Sequence, residues 1–123
     1  MSNAEVEFSI LAGSGAPVRS FKQGEIIFRE GDPATELYVI KSGRVDITTG
    51  NRLLATLDDN GIFGEMALID KTPRSATVTA ATDVELVPVN EKQFLFLVSQ
   101  TPFFALKVMR VLAGRLRIAN KAM

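Results

Sequence analysis

Turn signals cut residues 18–89 into short apolar runs, and this punctuation constrains the fold more than any other feature. Gly24 precedes the run Glu25-Ile26-Ile27-Phe28, and Gly31-Asp32-Pro33 ends it. Ser42-Gly43, Gly50-Asn51 and Asp58-Asp59-Asn60-Gly61 turn the chain again. Runs this short, bounded by Gly, Pro, Asn and Asp, suit strands rather than helices. Leu37, Tyr38, Val39 and Ile40 are all apolar, the pattern of a strand buried on both faces. Val45, Ile47 and Thr49 alternate with Asp46 and Thr48, so one face of that strand is wet. Gly50-Asn51 reads as a two-residue hairpin loop, with Leu53, Ala55 and Leu57 returning on the other arm. Thr77-Val78-Thr79 and residues 83–89 supply two more strands. Pro88 has no amide to give a ladder, so it is expected at an edge or a strand end. Many short strands at regular spacing indicate a double-sheet jelly roll or a small barrel.

The flanks read as helices. Ser2 and Glu5 have capping-box spacing ahead of Val6, Phe8, Ile10 and Leu11, which predicts a short helix ending near Gly13. Residues 13–17 form a flexible break. Asn90 with Gln93 predicts a second capping box, opening a helix to about Ser99. Thr101 caps a last helix with Pro102 at its first position. That helix carries two apolar stripes. Ala105, Met109, Leu112, Leu116, Ala119 and Met123 are spaced alternately four and three, a heptad seam. Phe104, Val108, Val111 and Ile118 form the other stripe, interrupted by Arg115. One stripe suits the strands and the other a partner helix, so a homodimer through this helix is expected. The organisation is then a helix and linker over residues 1–17 and one domain over 18–123. The domain divides into strands over about 18–89 and helices over about 90–123.

Composition removes whole classes of function. The chain has no histidine and no cysteine. The commonest general base, the thiolate nucleophile and the commonest metal ligands are therefore missing. Neither an enzyme nor a metal site is expected. The 14 Lys and Arg residues balance 14 Asp and Glu residues. Such neutrality lacks the electrostatic footprint of a nucleic-acid binder. No apolar run approaches the roughly 20 residues of a membrane span, and no basic start leads into an apolar core. No nucleic-acid or membrane partner is expected for this chain alone, and the cytoplasm is its expected place.

One stretch carries chemistry. Phe63-Gly64-Glu65-Met66-Ala67-Leu68 is followed, after a short spacer, by Arg74-Ser75-Ala76. Gly64 lets backbone approach a ligand without a Cβ in the way. Glu65 opens a helical turn, which is expected to leave the amides of Met66 and Ala67 free for an anion. Arg74 offers a planar fork for two phosphate oxygens, and Ser75 adds a hydroxyl. Glu65 accepts hydrogen bonds, so a sugar hydroxyl is its natural partner. Taken alone, Glu65 and Arg74 would read as an ion pair bracing a loop.

Together these residues resemble the phosphate-binding cassette of cyclic nucleotide-binding domains, the family of the catabolite activator protein and the regulatory subunit of protein kinase A. The family pattern is an apolar residue, Gly-Glu, any residue, a small residue, an aliphatic, a spacer, then Arg, a small residue and Ala. The chain meets it without departure. Upstream, Gly31-Asp32 and the apolar run before Gly43 also fall in the family's order. The resemblance implies a mainly β protein, a jelly-roll barrel with a short N-terminal helix and C-terminal helices. It implies a sensor for cAMP or cGMP, with Arg74 on the phosphate and Glu65 on the ribose. Phe63, Gly64, Met66, Ala67, Ser75 and Ala76 complete the implied ligand set, and Asn120 on the last helix is offered as a base contact. The residue after the arginine is often threonine in cGMP-selective relatives, so Ser75 leans toward cAMP, although its hydroxyl also suits a guanine amino group. Ligand capture in the family repositions the last helix, which places a hinge near residues 99–102. Family regulators carry a helix-turn-helix after that helix. This sequence stops where the helix would finish, so a standalone sensor or a fragment is expected. The alternative is a degenerate jelly roll kept for protein interaction or dimerisation, whose mark would be loss of the arginine or glutamate.

Overall fold

The structure, a computed structural model, describes residues 17–122, with side chains described to residue 114. Within them, β1 (Arg19–Phe21), β8 (Val84–Asn90), β3 (Glu36–Ser42) and β6 (Ile62–Phe63) form one sheet in that order. The other sheet runs β2 (Ile26–Phe28), β7 (Thr77–Ala80), β4 (Val45–Thr49) and β5 (Arg52–Leu57). All six strand pairings are antiparallel. The chain passes from sheet to sheet at nearly every turn, which is the jelly roll that the strand spacing predicts.

Side-chain alternation assigns each strand its two layers. Tyr38, Ile40, Val45, Ile47, Phe63, Val78, Val84 and Leu86 meet between the sheets. Leu37, Val39, Val87 and Val89 point the other way, under the helices. That is why β3 is apolar at four successive positions: each of its faces covers a core. Two bulges interrupt the second sheet. Ile26 pairs with Thr79 but Phe28 pairs with Val78, so β2 advances two residues for one on β7. Ile47 pairs with Ala55 but Thr48 with Leu53, so Leu54 is extra on β5. Pro88 sits in β8, an interior strand, opposite Tyr38. β1 pairs with β8 only from Val84 to Leu86, so Pro88 occupies a locally uncovered margin rather than a true edge.

Among the described residues, α1 (Met66–Ile69) lies between β6 and β7, and α2 (Glu91–Gln100) and α3 (Pro102–Ala122) follow β8. The Asn90 capping box forms on both sides, with Gln93 N donating to Asn90 Oδ1 at 2.8 Å and Asn90 N to Gln93 Oε1 at 2.9 Å. Thr101 joins the helix pair. Its amide donates to the Leu97 carbonyl at 2.7 Å, and its carbonyl accepts from Phe104 N at 2.9 Å. The chain bends by 118° there. Leu97, Phe104 and Val108 are buried on the outer face of the first sheet. Phe104 and Val108 of the second stripe thus pack on the strands, while the side chain of Ile118 lies outside those described. Leu112, assigned above to the partner-facing seam, also packs partly against this cluster. It lies one turn beyond Val108, about 40° around the helix. Met109 stays 61% exposed. No single described helix is long and apolar enough to cross a membrane. The helix expected before Gly13 lies outside the described residues, as do the side chains of Leu116, Ala119, Asn120 and Met123.

Candidate functional site

The upstream turn and the cassette are one structural unit. Asp32 Oδ2 accepts from Arg29 N at 2.9 Å, which fixes the turn. Gly31 N then donates to the Arg74 carbonyl at 2.8 Å, and Arg74 N donates to the Asp32 carbonyl at 2.9 Å. Both backbone groups of Arg74 are thereby pinned, so only its side chain is left to place. Arg74 is 8% exposed as a residue, and its guanidinium lies with Cζ 4.0 Å from the centre of the Phe28 ring. Its Nη1 donates to the Gly64 carbonyl at 3.3 Å. Its Nε–H has no hydrogen-bond partner among the described residues. Burial pushes the Arg74 pKa below its ordinary value, while Tyr38, Glu36 and Asp32 act in the opposite direction.

Gly64 has φ +77°, and a Cβ built there would lie 2.7 Å from Arg74 Nη1. The positive φ favours glycine, and any Cβ there would push the guanidinium aside. Glu65 follows in helical conformation, 1% exposed, and its carboxylate does not cap α1. The Ala67 amide is not free as expected: it donates to the Gly64 carbonyl at 3.2 Å. A tight first turn, closing back on the residue before Glu65, takes up that donor.

A cavity of ≈ 340 Å³ opens beside these groups. Phe63, Gly64, Glu65, Met66, Ala67, Arg74, Ser75 and Ala76 all line it, so the structure brings together every described residue in the sequence-based set. Ser75 is exposed at the wall, whereas Phe63, Glu65, Ala67 and Ala76 are buried. The far wall comes from β5, through Arg52, Leu53, Leu54 and Ala55. Leu53 and Leu54 are 58% and 47% exposed, a wet apolar shelf opposite a buried cation. The volume falls within the ~300–1,000 Å³ of small-molecule sites. Such a site can hold a small anion joined to a flat apolar group. Among the described residues no group of three or more acidic side chains could hold a metal ion.

A model of the family described as "Cyclic nucleotide-binding domain" matches residues 18–101. The chain belongs to that family. This cyclic nucleotide-binding domain is 36% identical over 107 residues to the Cyclic AMP receptor protein of Thermus thermophilus, covering 83% of this chain and 50% of that protein. It superposes on the catabolite activator protein of Thermus thermophilus with a TM-score of 0.79 and 34% identity, over 98% of this chain and 57% of that one. It is also similar to the EAL enzyme Bd1971 in its cAMP-bound form, with 41% identity and a TM-score of 0.62 over 85% of this chain and 30% of that one. The cGMP-bound form of Bd1971 gives 40% identity and a TM-score of 0.63, over 86% and 30%. The domain spans about half the length of the curated relatives it first matches.

Sequence reasoning missed the parts of this domain's site that come from other strands. Phe28 passes as one more apolar strand residue, and nothing local marks it as a neighbour of Arg74. Leu53-Leu54 does carry a signal. Two consecutive leucines break the alternation of a half-wet strand, which is the mark of a bulge.

Proposed function

We propose that this domain is a sensor whose cavity takes a cyclic purine mononucleotide, cAMP in preference to cGMP. Arg74 holds the phosphate and Glu65 the ribose 2′-hydroxyl. Phe63, Gly64, Met66, Ala67, Ser75 and Ala76 wall the sugar-phosphate end, and the leucine shelf of β5 lies under the base. The reading rests on one observation above all: a buried arginine at the cavity wall with an unpartnered Nε–H. Burial has taken water from this cation, as the fall in its pKa reflects. A phosphodiester monoanion replaces the lost hydration with charge-assisted hydrogen bonds. Ser75, where cGMP-selective relatives often have threonine, supports the preference for cAMP.

The signal passes through the helices. Leu68 of α1 packs against the cluster in which Leu97, Phe104 and Val108 meet β3 and β8, so the cassette and the helices share one core. A ligand shifts α3 only by binding one arrangement more tightly than another. The domain self-associates through the exposed side of α3 around Met109, in the cytoplasm, and leaves the nucleotide chemically unchanged. Calorimetry with cAMP, cGMP and linear AMP tests the reading. A saturable site for a cyclic nucleotide is expected, with linear AMP at least tenfold weaker. Neither heat nor thermal shift at about millimolar nucleotide would overturn it, and recovery of hydrolysed nucleotide would overturn the sensor role.

A further inference from the structure

We infer that Phe28 is the positioning residue for Arg74: its ring face holds the guanidinium so that the hydrogen-bonding edge stays open to the anion. The inference rests on the reading of the cavity given above. The physical problem is specific. A buried arginine needs something to orient it, and the usual partner is a carboxylate. A carboxylate would occupy the fork and cancel the charge, so the incoming phosphate would have to displace it. An aromatic face attracts the cation through its quadrupole and contacts only the flat of the guanidinium. The N–H groups lie in the guanidinium plane, so those not given to the Gly64 carbonyl, Nε–H among them, remain available.

The geometry meets each requirement. Arg74 Cζ is 4.0 Å from the Phe28 centroid, stacking distance, and 5.6 Å from the Tyr38 centroid. Phe28 reaches this place because of the bulge on β2, which redirects the side chain after Ile26. The ring is then fixed from behind. Tyr38 lies 6.1 Å away at 28°, Phe63 lies 5.9 Å away at 44°, and Tyr38 stacks on Phe63 at 5.3 Å. The Tyr38 hydroxyl is anchored in turn, accepting from Arg19 Nη1 at 3.1 Å and donating to Glu36 Oε1 at 3.1 Å. The three-ring stack therefore runs from a surface ion pair to the buried cation.

Phe28 also lines the cavity, so a direct apolar contact with the ligand must be told apart from positioning. Site-specific replacement of Phe28 by mono-, di- and trifluorophenylalanine does so. Fluorine drains the ring face while keeping its shape and apolar character. Affinity for cAMP should fall stepwise along the series, to about tenfold at the end, with unfolding midpoints unchanged. Phe28→Leu should lose a similar factor, and Phe28→Tyr should keep wild-type affinity. If wild type binds and the fluorinated series stays flat within about twofold, the inference is overturned and the function stands. If wild type binds neither cyclic nucleotide, the function is overturned and the inference with it.

Discussion

Gly64→Ala is the smallest change that probes how closely the site is built. The residue has φ +77°, where alanine costs about 1–2 kcal/mol relative to glycine. The new Cβ would stand 2.7 Å from Arg74 Nη1 and 3.6 Å from both Arg74 Cζ and the Glu36 carbonyl oxygen. Ordinary non-bonded contact begins near ~3.5 Å, so the guanidinium must move by most of an ångström. It cannot slide along its own chain, because both backbone groups of Arg74 are bonded to the Gly31-Asp32 turn. It must tilt away from the Gly64 carbonyl and off the Phe28 ring. The strain alone should lower the unfolding midpoint by roughly 3–10 °C. Misplacing one charge-assisted hydrogen bond of about 1.5–3 kcal/mol should weaken cAMP about ten- to hundredfold. Thermal unfolding and calorimetry on the same preparation measure the two effects. A variant destabilised as stated but binding as wild type would refute the claim that the guanidinium's present position is the binding position. A variant with no loss of stability would refute the backbone argument.

Arg74→Ala should weaken cyclic nucleotide at least tenfold and up to about a thousandfold, and Arg74→Lys should recover only part, since an ammonium lacks the planar fork; titration of both checks this. Glu65→Ala should cost affinity with an intact ribose and little with the 2′-deoxy analogue, so a cycle of the two variants and two ligands gives a coupling above about 0.5 kcal/mol. Met109→Glu should shift sedimentation from dimer toward monomer; equal masses for wild type and variant would leave α3 without a seam. Amide exchange in α3 beyond Thr101 should change on nucleotide addition, and unchanged protection throughout would leave a site with no readout.

What the sequence disclosed and what it hid divide by range. β3 was legible because being buried on both faces writes four apolar residues in a row. The cassette was legible because its parts lie within one stretch of chain and each residue type has a local reason. The Asn90 capping box is local too, and it forms as spaced. The hidden features are long-range. The bulge that aims Phe28 depends on register against β7, which no local pattern states, and the leucine pair that marks a bulge on β5 does not say which cavity it walls. The bonds between Gly31, Asp32 and Arg74 join residues about forty positions apart, so the two motifs looked separate. The partial packing of Leu112 against the core was hidden because heptad spacing describes a helix and not what covers it. The Ala67 amide was misjudged because a single tight turn can satisfy a donor that a regular helix leaves open.

The single-residue junction at Thr101 makes α3 a lever. Its two backbone bonds end one helix and begin the next, so no slack lies between them. From this pivot the 21 residues of α3 extend about 31 Å at 1.5 Å per residue. A tilt of about 10° at the pivot displaces the far end by about 5 Å, close to one helical turn. If nucleotide tilts α3 as proposed, adjustments too small to register at the cassette would become, at the other end of the arm, a stroke large enough to exchange one set of neighbours for another.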